Sequence, residues 1–243
     1  PFARELKLLE AMLRLGSAPL ARVLARHWRR TRPDLVVSVL PNFNRVLLEA
    51  LAEARPGVPY VTVMTDLADH PPNFWIEPDL AQTIVCGTPK AVAQAHAAGM
   101  PTQRIRASSG MILRPAFYES CELDRAAARR ALGLDADSPV GIVMFGGHGS
   151  VQMLQIARAL PDVQLIFACG HNVSLLAELQ ALTRRAPHAA VGFTQDVPRL
   201  MRLADFFVGK PGPGSLSEAV HLGLPVITFD TATNLPQERY NVE

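Results

Sequence analysis

Three segments in the later half of the chain hold the residue types best suited to binding chemistry. In Lys210-Pro211-Gly212-Pro213-Gly214-Ser215-Leu216-Ser217-Glu218-Ala219, two Pro–Gly pairs stand just before an apolar helical pattern. Ser215 can cap that helix, and Glu218 three residues on completes a capping box. Capping explains Ser215 and Glu218 but not two prolines and two glycines. Those suit a turn that offers main-chain N–H groups to a diphosphate. Gly146-Gly147-His148-Gly149-Ser150 joins a strand pattern to a helix pattern. Its glycines let the backbone approach a ligand beside a helix N-terminus. It is neither a Walker A loop nor a full G-x-G-x-x-G, and a tight turn explains it about as well. In Asn234-Leu235-Pro236-Gln237-Glu238-Arg239-Tyr240-Asn241, the side chains of Gln237, Glu238 and Asn241 suit bidentate hydrogen bonds to sugar hydroxyls. A polar helix start with Pro236 in its first turn is the plainer alternative.

The earlier half carries Thr65-Asp66-Leu67 after a strand pattern, then His70-Pro71-Pro72-Asn73-Phe74-Trp75. A carboxylate at a strand's carboxyl end is a candidate general base. An exposed Phe74-Trp75 pair in a Pro-rich loop would grip an apolar acceptor. The alternatives are an Asp that closes a turn and aromatics that belong to the core.

Alternating strand and helix patterns must position these segments. In the first half, strands are expected at Asp34–Leu40, Val58–Thr65, Thr83–Cys86 and Ile105–Ser109. Helices are expected at Asn42–Ala54, with Asn42 as N-cap, and at Pro89–Ala98, stopped by Gly99. A short helix, Asp124–Leu132, follows a break in the pattern. The second half adds strands at Val140–Phe145, Gln164–Ala168, Ala190–Phe193, Phe206–Val208 and Pro225–Phe229. Helices are expected at Val151–Leu160, from Asn172 to about Arg185, at Val197–Ala204 and at Leu216–Leu222. Such units imply parallel sheets with helices on both faces. Two blocks imply two doubly wound domains, placed at 1–116 and 117–243. Ligands bind at the carboxyl ends of such strands, where every glycine-rich segment falls.

Of 243 residues, 49% are apolar and 19% charged, which excludes a disordered chain. Cys86, Cys121 and Cys169 lie far apart without C-x-x-C spacing, so neither a zinc site nor a disulfide framework is expected. No apolar run approaches the ~18–20 residues of a membrane helix. Residues 1–116 hold fourteen Lys/Arg against nine Asp/Glu, or +5, whereas 117–243 hold ten against thirteen, or −3. The most basic stretch, Arg22, Arg26, Arg29, Arg30 and Arg32 beside Leu20, Val23, Leu24 and Trp28, reads as a basic amphipathic helix. It would suit an anionic lipid surface or simply be a solvated face.

Lys210 to Ala219, with Gly223-Leu224-Pro225-Val226-Ile227 and Pro236-Gln237-Glu238 followed by Asn241, resembles the donor-site signature of monogalactosyldiacylglycerol synthases and related processive diacylglycerol glycosyltransferases. These are GT-B enzymes of glycosyltransferase family 28. Thr65-Asp66-Leu67, His70-Pro71 and Trp75 resemble the acceptor-side segment of that family, and Arg114-Pro115 with Phe117 its interdomain junction. The resemblance implies two Rossmann-like α/β domains facing a cleft. It also implies inverting transfer of galactose or glucose from UDP-hexose to a diacylglycerol-like lipid.

By the same resemblance, Gly146, Gly147, Gly149 and Ser150 approach the diphosphate side of the donor, and Gly192 and Phe193 lie by the uracil. Gly212, Gly214 and Ser215 meet the phosphates, Glu218 holds the ribose, and Gln237, Glu238 and Asn241 hold the hexose. Asp66 and His70 are the catalytic candidates, with Phe74 and Trp75 on the acceptor. The family's opening strand and its His-bearing glycine loop have no counterpart here, nor does its closing helix. A piece of a larger enzyme is therefore expected, its base either Asp66 or that absent His. No cofactor or metal is expected. The expected partners are UDP-hexose, a lipid acceptor and an anionic membrane surface, not nucleic acid. The expected location is cytoplasmic, peripheral at the inner face of the cytoplasmic membrane. The competing readings are N-acetylglucosamine transfer from its UDP donor to the peptidoglycan lipid precursor, a UDP-sugar epimerase, and a nucleotide-sugar-binding module without catalysis.

Overall fold

The computed structural model describes residues 18–120, 122–228 and 236–242. Cys121, Phe229 and the Asn234-Leu235 start of the third segment lie outside the described residues. The chain forms two compact units, Pro1–Ile112 and Leu113–Glu243. The division falls just before the expected one because the junction's side chains serve the second unit. Arg202 donates to the carbonyls of Phe117 and Glu119, and Phe117 is buried.

In the first unit, residues 18–31 are helical (α1). There follow β1 (Val36–Ser38), α2 (Asn44–Ala54), β2 (Tyr60–Val63), β3 (Thr83–Cys86), α3 (Pro89–Ala97) and β4 (Ile105–Ala107). The four strands pair in parallel in the order β1-β2-β3-β4. Two apolar clusters are seen among the described residues of the unit. Ala25 and Trp28 of α1 pack with Ala50, Leu51 and Tyr60. Met64, Trp75, Ile84, Ala91, Ala95 and Ile105 form the other. Thr88 caps α3 by accepting from Ala91 N–H at 3.1 Å, and Pro89 follows as its first residue.

Asn42 is not the cap of α2. It has φ 62°, a left-handed conformation that Asn tolerates, and its N–H donates to Phe74 O at 2.9 Å. The helix starts two residues later, at Asn44, with Phe43 as N-cap.

In the second unit, α4 (Arg125–Ala131) precedes β5 (Val140–Met144), α5 (Gln152–Ala159), β6 (Gln164–Gly170) and α6 (Val173–Ala181). Then come β7 (His188–Gly192), α7 (Val197–Leu203), β8 (Phe206–Gly209), α8 (Pro213–His221), β9 (Val226–Ile227) and α9 (Pro236–Arg239). The parallel order is β7-β6-β5-β8-β9. Strands β5 and β6 are central and almost wholly buried, which their unbroken apolar runs require when helices cover both faces. From β5 the chain winds one way through β6 and β7, then returns to β8 on the other side. The β5–β8 boundary is therefore the topological switch point of the sheet, where a ligand crevice opens in folds of this kind.

Two helix boundaries differ from expectation for local reasons. Helix α6 stops at Ala181 rather than near Arg185, because Arg184 leaves the helix to donate to the carbonyls of Ala157 and Val163. Helix α8 starts at Pro213, not Leu216, since a proline's fixed φ suits the first helical position.

Candidate functional site

The loops at the carboxyl edge of the second sheet meet one another. Strand β5 leads into Gly146–Ser150, and its last residue, Met144, pairs with Gly209, the last residue of β8. Strand β8 leads straight into the Lys210–Ser215 turn. The two glycine segments thus lie side by side at the switch point. Neighbouring β6 ends at Gly170, whose φ is +60°. A methyl group there would collide with the Gly147 carbonyl, and only glycine combines that φ with so close an approach. His171 N–H then donates to Gly147 O at 2.8 Å, and Asn172 Nδ2 to His148 O at 3.2 Å. After β7 the Phe193 ring, 59% exposed, stacks on the His171 imidazole with centroids 4.0 Å apart.

The Lys210–Ser215 turn is a true helix entry. Gly212 is the N-cap of α8 and makes no side-chain capping bond, so the Ser215–Glu218 capping box does not form. Ser215 instead donates from Oγ to Gly212 O at 3.4 Å. Glu218 lies one turn further, its side chain 17% exposed and 4.0 Å from Arg114. Burial raises its pKa against the opposing pull of Arg114. Pro211 and Gly212 are buried, but Gly214 is exposed.

Two residues of the third segment join this edge. Asn241 donates from Nδ2 to Pro211 O at 2.7 Å, leaving its Oδ1 buried without a donor. Glu238, 5% exposed, accepts from Lys210 Nζ at 2.8 Å. Gln237 is half-buried on the same short helix. Gly146, Gly147, Gly149, Ser150, Gly192, Phe193, Gly212, Gly214, Ser215 and Glu218 all follow, or end, strands at this one edge. The sequence assigns no individual role in the site to Lys210, His171 or Arg114. Lys210 stands at the head of the Pro–Gly turn, and its position there was the available signal.

The first-unit loop is organised differently from expectation. Trp75 has no exposed surface, so it is a core residue and not an exposed aromatic grip; Phe74 packs against the same cluster. The Trp75 indole donates to Asp66 Oδ2 at 2.8 Å, and Asp66 is itself buried. Asp69, which sequence reasoning missed, is the loop's main-chain acceptor. Its two carboxylate oxygens take the N–H groups of Asn73 at 2.9 Å and Trp75 at 2.7 Å. Burial raises the Asp69 pKa, and those N–H groups pull it back down. His70 is exposed beside them. Asp66 and Trp75 are thus brought together by a direct bond, while His70 stands at the surface.

Cys86 and Cys169 are buried free thiols whose pKa burial pushes up to about 11. Among the described residues, no three His, Cys, Asp or Glu side chains cluster as a metal site would require, and no helix is long and apolar enough to cross a membrane.

Two units built on parallel sheets, the second with its glycine loops on the carboxyl edge, define the GT-B class of fold. Solved structures agree. Anabaena Alr3699/HepE in complex with UDP-glucose superposes with a TM-score of 0.55 at 20% identity, covering 89% of this chain and 64% of that one. The S. aureus MnaA–UDP co-structure gives 0.64 at 12%, over 88% and 62%. Acinetobacter baumannii MurG gives 0.59 at 15%, over 94% and 61%.

Within that class the sequence points further. The monogalactosyldiacylglycerol (MGDG) synthase family description matches residues 7–109. Monogalactosyldiacylglycerol synthase 1, chloroplastic, of Arabidopsis thaliana is 29% identical over 221 residues, 86% of this chain and 41% of that protein. The probable synthase 2 of Oryza sativa subsp. japonica is 31% identical over 214 residues, 83% and 45% respectively. The chain is similar to the monogalactosyldiacylglycerol synthases over most of its own length, and it spans less than half the length of these two relatives.

Proposed function

We propose that this chain supplies the donor-binding unit and part of the acceptor-binding unit of an inverting hexosyltransferase. It would move galactose or glucose from UDP-hexose to a diacylglycerol-like membrane lipid. The observation that carries this reading is the meeting of the Gly146–Ser150 and Lys210–Ser215 segments at the β5–β8 switch point. Main-chain N–H groups and the N-terminus of α8 face the place where a departing UDP develops charge, and such preorganised donors stabilise that charge. Phe193, Gly192 and His171 lie to one side, suited to the base. Glu218 lies near the turn for the ribose, and Gln237, Glu238 and Asn241 lie beyond it for the hexose. Asp66 is this chain's candidate base, held by Trp75.

The acceptor brings the membrane into the reading. On α1, Ala21, Leu24, Ala25 and Trp28 face the core, whereas Arg22, Arg26 and Arg30 point to solvent. A polybasic face of this kind is attracted to the anionic cytoplasmic leaflet, so the protein would be peripheral there. No metal is assigned to the reaction.

The test is calorimetric titration with UDP, followed by a donor screen on diacylglycerol vesicles with UDP-galactose, UDP-glucose and UDP-N-acetylglucosamine. Glu218→Ala should weaken UDP binding by about tenfold or more, as loss of a hydrogen bond to a charged group does. Unchanged UDP affinity in that variant removes the ribose assignment. Transfer only from UDP-N-acetylglucosamine, and only to a peptidoglycan lipid precursor, would move the protein to that competing activity. Consumption of donor without any acceptor would mark an epimerase.

A further inference from the structure

An open cleft of about 430 Å³ lies on the edge of the second sheet opposite the glycine segments. Asp205 fixes its place: it lines the cleft, immediately precedes β8 and accepts from the N–H of Val140 at the start of β5. Two arginines line the cleft from different helices. Arg125 of α4 donates from Nη2 to Asp205 Oδ1 at 2.8 Å and to the Ala204 carbonyl at 3.0 Å. Arg202 of α7 donates from Nη2 to the carbonyls of Phe117 at 3.1 Å and Glu119 at 2.9 Å. Each guanidinium is thus held by one nitrogen. Nothing among the described residues accepts from the Nε–H or the Nη1 group of either. Asp205 is the one acidic side chain among the described lining residues, and Arg125, Arg129 and the Val140 N–H already engage it. Leu123 and Leu222 supply apolar wall.

We infer that this cleft is a second ligand site, for a phosphate group carried by the free ion or by a small phosphomonoester. The inference is independent of how the opposite edge is read. A guanidinium has five donors and is always charged, so pinning one nitrogen leaves both charge and donors for an anion. Pinning also fixes the long side chain in advance, which lowers the entropy lost on binding. Two such groups from separate helices favour an anion with several acceptor oxygens, and a phosphate has more of them than a carboxylate. Three guanidiniums gather at this edge, those of Arg125, Arg129 and Arg202, against the single Asp205 carboxylate. The C-terminus of α8, at Leu222 and Gly223, adds only about half a negative charge. The excess is therefore positive. A phosphate bound there would bridge α4, α7 and the Phe117–Glu119 segment that Arg202 holds, and so would stabilise the second unit.

The test is calorimetric titration of the intact protein with inorganic phosphate and, separately, with glycerol 3-phosphate. Excess UDP is present throughout, so that the glycine-segment edge is already occupied. The parent should bind at least one of the two anions. Tighter binding of glycerol 3-phosphate identifies a phosphomonoester as the ligand, and equal or tighter binding of inorganic phosphate identifies the free ion. Arg125→Gln and Arg202→Gln should each weaken that binding by about tenfold or more, the loss expected for a charge-assisted bond. Arg202→Lys should recover part of the loss, because the charge is kept. UDP affinity should stay within about threefold in all three variants. Leu123→Glu supplies a test that leaves both guanidiniums in their carbonyl bonds. It sets a carboxylate in the cleft wall just before α4, where an acidic residue suits the helix N-terminus. Anion binding should fall by about tenfold or more there too, and phosphate should no longer raise the melting temperature as it does in the parent. A parent that binds neither anion overturns the inference. So does anion binding that the two Gln variants and Leu123→Glu leave unchanged, since the anion would then sit elsewhere on the protein. A parent that binds an anion but not UDP removes the nucleotide-sugar reading alone, and the same substitutions still decide this one.

Discussion

The indole N–H of Trp75 donates to Asp66 Oδ2 across 2.8 Å, and the ring it belongs to has no exposed surface. A carboxylate at the end of β2 is therefore tied to the core of its own unit. Trp75→Phe keeps most of the apolar volume but deletes the donor. It should cost about 1.5–3 kcal/mol, the usual contribution of a hydrogen bond to a charged group. Trp75→Ala should cost about 3–5 kcal/mol, because a cavity is added. Urea denaturation of both variants reads the two values. A Phe variant as stable as the parent would show that the bond to Asp66 contributes nothing net.

A second buried arrangement anchors the other sheet, at the edge away from the glycine segments. Arg129, 6% exposed, donates to the carbonyls of Leu203 and Ala136 and to Asp205 Oδ2 at 2.6 Å. Asp205 also accepts from Val140 N–H at the start of β5. Desolvation raises the Asp205 pKa, but the Val140 N–H and the Arg125 and Arg129 guanidiniums outweigh it and hold the carboxyl below its ordinary value. The folded form thus binds this proton less readily than the unfolded chain does. The Asp205 contribution is fully present above the ordinary carboxylate range and is lost as pH falls through the lower folded value. Arg129→Met should destabilise by about 1–3 kcal/mol through the buried carbonyls that lose its guanidinium, since Asp205 keeps Arg125 and the Val140 N–H. Asp205→Asn should flatten the acid limb of a stability–pH curve, and an unaltered limb would contradict the assignment.

Much of this architecture is legible in the residues because parallel strands buried on both faces need continuous apolar runs. Val140–Met144 and Thr83–Cys86 stand out between glycines and polar turns for that reason. Chain entry into helices was harder to read. Ser215 and Glu218 have the spacing of a capping box, yet Pro213 starts the helix three residues earlier and makes Gly212 the cap. Asn42 has a cap's chemistry but spends its N–H on Phe74 O. Side-chain direction was the least legible. An aromatic pair in a Pro-rich loop looks exposed until Asp69 folds the loop inward around its carboxylate. Lys210 was visible in its motif, but only the pairing of β5 with β8 puts it between two glycine segments.

The close approach of Gly170 to Gly147 makes a specific test of the loop arrangement. Gly170→Ala introduces a methyl group against the Gly147 carbonyl and places a Cβ on a residue with φ +60°. The β5 loop must shift, so UDP affinity should fall together with a stability loss of about 1–3 kcal/mol. Gly147→Ala meets nothing within 4 Å and is the matched control for the added methyl. It should leave stability within about 1 kcal/mol of the parent, since its cost is confined to local conformational preference. Equal losses in the two variants would show that loop contact is not what Gly170 provides.

The charge on α1 separates membrane attachment from an ordinary solvated face. Arg29 is committed to Glu53 at 2.5 Å, but Arg22, Arg26 and Arg30 line the exposed side of the helix beside Val23, which is 61% exposed. A basic residue near an anionic bilayer contributes about 1 kcal/mol, so replacing all three with Gln should weaken binding to such vesicles by roughly a hundredfold. Thermal stability should barely change, because none of the three packs in the core. Raising the salt concentration should mimic the substitution, since screening acts on the same exposed charges. Co-sedimentation with vesicles of anionic or zwitterionic lipid measures both effects. Equal partition of the triple variant and the parent into anionic vesicles would leave these arginines as a solvated surface, with attachment assigned elsewhere.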